Sequence, residues 1–353
     1  SSLTQHSLFI RYAPQTTRWI KGASRSLAKF AQGARNEVKK PSKLLETQNM
    51  ATFESMADGM DVKGKVVVCT GGGSGMGREM CIEAAKRGAS AVVPVDFNLK
   101  GAEETVARIK QYAKCNAVAM YADCGKEVDM FNIITKVENE IGPIALFIAN
   151  AGIAAGGQGV LASDKDWDMQ MGVNFKQHMY WARYLLPRMV KRGGGYIIVT
   201  SSAAGLLYVP QLIYKVSKAA ALAISEWVAV THREDGIGCT VLCPQAVRTN
   251  LFATSNAYAR DTVVKDTKSD NVSITAGSAG AAGGDGILEA DDVARLTLDC
   301  AKNGTFLALP HKEVATYIIR KSQDTTRWIK GASRSLARFA QDARNEVRQP
   351  SKL

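Results

Sequence analysis

No apolar run in this 353-residue chain reaches the ~18 residues that a membrane-crossing helix requires, so no integral membrane segment is expected. There is no C-x-x-C pair either. The seven cysteines (Cys69, Cys81, Cys115, Cys124, Cys239, Cys243, Cys300) are scattered and odd in number, which argues against a disulfide framework or a zinc site and for reduced thiols. The four histidines, His6, His178, His232 and His311, lack metal-ligand spacing and read as surface or packing residues, so no metal is expected. The net charge of +12 suggests nucleic acid until it is located. Residues 1–44 carry nine Lys/Arg against one Glu, and residues 325–353 carry seven against two acids. The ends thus hold +8 and +5, residues 45–324 net about −1, and a nucleic-acid-binding core is excluded.

What is present at the ends is a repeat. Residues 16–44 recur as 325–353 with 25 of 29 positions identical. In both copies apolar residues step 3-4-3-4 (Ile20, Ala23, Leu27, Phe30, Ala34; Ile329, Ala332, Leu336, Phe339, Ala343) among basic ones, which predicts two basic amphipathic helices. The first copy has the composition of a mitochondrial transit peptide, but its duplicate at the other end weakens that reading. The favoured reading makes residues 1–49 the remnant of an upstream copy of the same protein, with a linker, so that the catalytic unit spans 50–324 and the basic tail 325–353. Two surface helices packing on the core or on a partner are the third reading. The closing Ser351-Lys352-Leu353 has the form of a peroxisomal address, which implies an import receptor as partner; cytoplasmic or mitochondrial residence is the alternative.

Within 50–324, strand and helix signals alternate. Val66–Cys69 is a β-branched run typical of a buried parallel strand, followed at once by Thr70-Gly71-Gly72-Gly73-Ser74-Gly75-Met76-Gly77 and a helical stretch to about Lys86. Strand, glycine turn and helix N-terminus together make an anion site, because glycines let a phosphate approach backbone N–H groups. Ala91–Val95 is a second strand ending in Asp96. An acid there accepts hydrogen bonds from ribose hydroxyls and repels a 2′-phosphate, which favours NAD over NADP although Lys100 is close by. Ala117–Tyr121 reads as a third strand leading to Asp123, whose polar group is placed to meet the adenine edge. Ile144–Ala149 is a fourth strand, leading to Asn150-Ala151-Gly152. A long helical pattern over Asp164–Arg192 contains Asn174, Tyr196–Thr200 is a fifth strand ending at Ser201-Ser202, and Cys239–Cys243 a sixth. A helix over Ala290–Cys300 and a strand over Thr305–Leu309 close the series. The prediction is an α/β fold built on a doubly wound parallel sheet.

Between the fifth and sixth strands lies Tyr214-Lys215-Val216-Ser217-Lys218, with Tyr214 and Lys218 one helical turn apart. Taken with T-G-G-G-S-G-M-G at 70–77, A-N-A-G at 149–152, V-N at 173–174, S-S at 201–202 and P-Q-A-V-R-T at 244–249, this chain resembles the short-chain dehydrogenase/reductase family over about residues 62–320. The resemblance implies a Rossmann fold and hydride transfer between NAD(H) and an alcohol or ketone. It makes Tyr214 the general acid/base, Lys218 its electrostatic partner and a ligand of the nicotinamide ribose, Ser202 the orienter of the reacting oxygen, and Asn174 the holder of a proton-relay water. Gly71, Ser74, Gly75, Met76, Gly77, Asp96, Asp123, Asn150, Gly152, Lys218, Val247 and Thr249 are the implied cofactor contacts. Two positions depart from the family pattern: Ala149 stands for the first Asn of N-N-A-G, and Gln245 for the Gly after Pro244.

Residues 250–287 are the expected substrate lid, ending in a Gly/Ala-rich stretch. Leu251, Phe252 and Tyr258, with Leu206, Leu207, Tyr208 and Val209, suggest an apolar pocket and hence a hydrophobic secondary alcohol or ketone. An NADPH-dependent ketoacyl-type reductase and a non-catalytic nucleotide-binding protein with membrane- or partner-binding tails are the alternatives. The resemblance also implies a homodimer or homotetramer.

Overall fold

The computed structural model describes residues 59–154, 159–251, 255 and 285–348, with side chains as far as 337. The N-terminal copy of the repeat, the terminal Ser351-Lys352-Leu353 and most of the 250–287 segment, Phe252 and Tyr258 included, lie outside the described residues.

Eight strands form one parallel sheet: β1 (Val66–Thr70), β2 (Ala91–Asp96), β3 (Asn116–Ala117), β4 (Met120–Tyr121), β5 (Ile144–Ala149), β6 (Gly195–Thr200), β7 (Ile237–Leu242) and β8 (Leu307–Ala308). The order is β3-β2-β1-β5-β6-β7-β8, with β4 also on β2. β1 is buried at all five positions, as a strand covered by helices on both faces must be. One face packs Phe147, Trp181, Leu185 and Met189; the other packs Met80, Ile109, Leu146 and Ile148. The winding direction reverses between β1 and β5, so a crevice opens beyond their carboxyl ends, where doubly wound sheets bind their ligands.

The helices are α1 (Gly75–Lys86), α2 (Leu99–Tyr112), α3 (Glu127–Glu140), α4 (Asp164–Met171), α5 (Gln177–Lys191), α6 (Ala203–Leu206), α7 (Leu212–Thr231), α8 (Ala290–Lys302), α9 (Glu313–Gln323) and α10 (Thr325–Arg348). Four expectations need correction. The single strand over Ala117–Tyr121 is two short strands, β3 and β4. Val92 and Asp96 accept from Val118 and Ala122, but between them Pro94 faces the same side without an N–H to give, so the ladder breaks there. The helix over Asp164–Arg192 is interrupted by a π turn, Gly172–Lys176, which holds Asn174. The last strand shrinks from Thr305–Leu309 to Leu307–Ala308, and the sixth predicted strand is displaced to Ile237–Leu242. Helix α9 was not foreseen. It buries Val314 beside Ala203 and Leu207, and its Tyr317 packs on Trp328 of α10 with ring centroids 6.2 Å apart. The tail does form the expected helix, α10, through Arg348.

Candidate active site

The glycine turn between β1 and α1 is shaped by steric need. Gly71 and Gly75 have φ of +65° and +51°, which side chains resist. A Cβ on Gly77 would lie 2.1 Å from the Gly71 carbonyl oxygen, and one on Gly73 would lie 2.8 Å from Asp96 Oδ2. Ser74 caps α1 without a side-chain bond, and no acid occupies the first turn. The helix therefore presents N–H groups and positive dipole to an anion, with no side chain of its own competing for them. Thr249 comes within 3.1 Å of where a Gly75 Cβ would sit, and Met76, Val247 and Leu288 pack against the same cluster of Leu242, Val293 and Ala308, so the 244–249 segment lies against the turn.

Asp96 braces this turn. Its Oδ2 accepts from the Gly73 N–H and its Oδ1 from the Asn98 N–H, both at 2.8 Å. Burial raises its pKa, and those N–H donors together with Arg78 oppose the rise. The Arg78 guanidinium is committed to the Gly73 and Gly101 carbonyls, Glu104 and Thr105, so it braces the turn from outside. Lys100 is exposed near the start of α2. The buried Asp123 carboxylate accepts from the Gly125 N–H at 2.9 Å and pairs with Lys126 at 3.5 Å.

Behind the turn, Thr70 and Asn150 tie three strand ends together. Thr70 Oγ1 accepts from the Asn150 and Ala151 N–H groups at 3.0 Å. Asn150 Nδ2 donates to the Thr70 carbonyl at 3.1 Å, and its Oδ1 accepts from Thr200 at 3.1 Å. Asn150 thus fixes the turn, and with Asn150 in place Ala149 is a core residue of β5 with no polar duty. Gln177, which sequence reasoning missed, donates to Ala151 and Val173 carbonyls and accepts from Thr70. Asn174 is fully buried: Oδ1 accepts from the Ile153 N–H at 2.8 Å, while Nδ2 donates to the Ile153 carbonyl at 2.8 Å and to Ser217 Oγ at 3.0 Å. Its side chain is therefore spent on holding the π turn against the β5 loop and α7. A π turn displaces main-chain carbonyls from regular helical pairing. Gly152 sits close by, where a Cβ would meet Lys218 Nζ at 3.1 Å.

Ser202, Tyr214 and Lys218 converge at the ends of β6 and β7. Ser202 Oγ accepts from the Ala204 N–H at 3.1 Å and donates to the Pro244 carbonyl at 3.3 Å. Burial raises the Tyr214 phenol pKa, and the Ser202 hydroxyl opposes that rise. Lys218 Nζ lies 5.7 Å from the Tyr214 ring centroid and donates to the Thr200 carbonyl at 3.0 Å; burial pulls its pKa down to about 8. At neutral pH the ammonium form still predominates, one helical turn from the phenol.

Gln245, the departure from the family pattern, has a structural use. Its Nε2 donates to Asp285 Oδ2 at 2.9 Å, and Tyr317 of α9 donates to Asp285 Oδ1 at 2.9 Å. Its backbone N–H donates to His311 Nδ1 at 3.2 Å, so the buried His311 ring carries its proton on Nε2, which has no protein partner. Val247 bridges to Leu288, fastening the 244–249 segment to the chain leading into α8. His178, as expected of a packing residue, is buried and accepts from Trp181 Nε1 at 3.2 Å. Among the described residues no cluster of His, Cys, Asp and Glu is arranged to hold a metal ion, and none of the cysteines is bridged.

Residues 65–259 match the short chain dehydrogenase family. Human epidermal retinol dehydrogenase 2 is 33% identical over 196 residues, which cover 54% of this chain and 63% of the relative, so the match spans less than two thirds of that protein. An oxidoreductase of Thermotoga maritima is 35% identical over 186 residues, 52% of this chain and 72% of its own. A Burkholderia phymatum short chain dehydrogenase/reductase solved with NAD superposes with a TM-score of 0.66 at 26% identity, covering 75% of this chain and 95% of that one. With more than half of its length matched and the sheet, glycine turn and Tyr-Lys pair in place, the chain belongs to the short chain dehydrogenase family of oxidoreductases.

Proposed function

We propose that this chain oxidises a hydrophobic secondary alcohol, or reduces the matching ketone, using NAD(H), with Tyr214 as general acid/base. The observation that carries this reading is the convergence of Ser202, Tyr214 and a buried Lys218 beside a glycine turn built for a phosphate. The residues present fit a dinucleotide. A cradle that added Cβ atoms would fill, an uncapped helix N-terminus and Asp96 at the end of β2 form one continuous surface for it. Gly71, Ser74, Gly75, Met76 and Gly77 would receive the pyrophosphate, Asp96 the adenosine ribose, Asp123 the adenine side, Asn150, Gly152 and Lys218 the nicotinamide ribose side, and Val247 and Thr249 the carboxamide. When bound, NAD supplies the hydride acceptor.

The chain's own residues handle the proton. In oxidation, Tyr214 as phenolate takes the proton of the substrate hydroxyl, Ser202 donates a hydrogen bond to the same oxygen, and Lys218 stabilises the phenolate by its charge. The proton then leaves by way of Lys218 and the Asn174 π turn. Reduction runs the same steps backward. Asp96 supports NAD over NADP, because a 2′-phosphate would meet a carboxylate, while the neighbouring Arg78 spends its Nε and Nη2 on Thr105, Gly73, Gly101 and Glu104. A relative named for retinol is consistent with an apolar substrate. Exposed Met179, Trp227 and Val230 on α5 and α7 support association of subunits through these helices.

The test is a turnover screen of hydrophobic alcohols, secondary ones and retinol among them, with NAD+ and with NADP+. Turnover with an apolar secondary alcohol and a preference for NAD+ is expected. A clear preference for NADP+ would overturn the use made of Asp96, and turnover confined to polar substrates would overturn the apolar pocket.

A further inference from the structure

Four large apolar side chains stand exposed on segments that leave the same edge of the sheet. Val160 and Leu161, each 84% exposed, follow β5; Tyr208, 48%, follows β6; Ile287, 55%, follows β7. All three segments leave the carboxyl ends of parallel strands, which is the edge that carries the Ser202, Tyr214 and Lys218 site. Helix α10 is attached to this edge too. Its Trp328 packs with Tyr317, Leu206 and Leu207, and Lys321 at the end of α9 donates to the Leu206 carbonyl. Beyond that anchor, Ile329 and Leu336, 60% and 43% exposed, lie two turns apart on one face of α10. Arg327, Lys330 and Arg334, all exposed, flank them.

Isolated exposed apolar residues are ordinary; a set gathered on one edge beside a cationic amphipathic helix is not. We propose that this edge docks on an anionic phospholipid surface, α10 lying in the headgroup layer with Ile329 and Leu336 inserted. Charge complementarity selects the occupant. The described domain is close to neutral, whereas residues 325–353 carry seven Lys/Arg against two acids. An acidic protein would satisfy the cations without using the protruding Val160-Leu161 pair. A lipid surface satisfies both, since it offers negative headgroups above an apolar layer. The inference does not depend on the proposed reaction, but it would bring the site's edge of the sheet to the medium in which a hydrophobic alcohol resides.

The test is flotation of the full chain with vesicles of phosphatidylcholine alone and of phosphatidylcholine with phosphatidylserine. Binding to the serine-containing vesicles, weakened by high salt, is expected. The triple variant Arg327→Gln/Lys330→Gln/Arg334→Gln and the separate pair Val160→Asp/Leu161→Asp should each lower partitioning about tenfold or more, with far-ultraviolet circular dichroism unchanged. No binding to either vesicle overturns the proposal, as does equal binding by both variants. It is overturned equally if the wild type ignores vesicles and instead self-associates, or binds polyglutamate, in a manner these variants abolish.

Discussion

Lys218 is buried with its ammonium donating to the Thr200 carbonyl, and burial pulls its pKa from 10.5 to about 8. Between those values the unfolded chain keeps a proton that the folded chain has lost, so stability rises with pH from about 8 to 10.5. Below 8 the full penalty of a buried charge remains. That penalty is on the order of 1–3 kcal/mol in the cofactor-free protein, offset in part by the bond to Thr200. Lys218→Met is therefore expected to raise the thermal unfolding midpoint at pH 7, to flatten the rise between pH 8 and 10.5, and to abolish turnover. A lowered midpoint would show that the ammonium is not an energetic burden. At this scale the spacing of Tyr214 and Lys218 was legible because it is local to one helix. Thr70, Gln177 and Ser217 were not, since each acts on residues far off in sequence: Gln177 reaches Thr70 across 107 positions. Arg78, too, betrays its support of the glycine turn only once α2 is seen beside it.

Strands and helices were legible where their patterns are strong, as in the buried runs of β1, β5 and β6. The π turn was not, because the apolar spacing of 164–191 reads as one helix and a single widened turn leaves no periodic mark. The break between β3 and β4 was readable only from the partner strand, through Pro94. Helix α9 escaped because its apolar face is short and is buried by Ala203, Leu206, Leu207, Leu309 and Trp328, which come from three other segments. That helix gives the Gln245 substitution its meaning. Gln245 and Tyr317 share one acceptor, Asp285, and so join the 244–249 segment to α9. Each hydrogen bond to the carboxylate is worth about 1.5–3 kcal/mol by the usual range for charged groups. Gln245→Ala and Tyr317→Phe should each lower stability in urea unfolding, and the double variant should depart from additivity by ~0.5 kcal/mol or more. Additive losses would mean that the two side chains act independently.

Across the whole molecule, a near-neutral catalytic domain carries a basic appendage, and that division was readable from charge counting alone. How the appendage is fastened was not, because the contact joins Trp328 to Tyr317 and the segment after Ser202. The terminal Ser351-Lys352-Leu353 is proposed as a peroxisomal address. A fluorescent reporter fused ahead of residues 325–353 should enter peroxisomes, and one lacking the last three residues should not; unchanged import would refute that assignment. The central claim is proton transfer by Tyr214. The most direct measurement is the pH profile of kcat/KM for alcohol oxidation with NAD+, compared between the wild type and Tyr214→Phe. The wild-type rate should climb with pH as the phenol, whose pKa burial raises, gives up its proton, and the phenylalanine variant should fall ~10²-fold or more and lose that climb. A Tyr214→Phe protein that keeps the wild-type rate and profile would contradict the account.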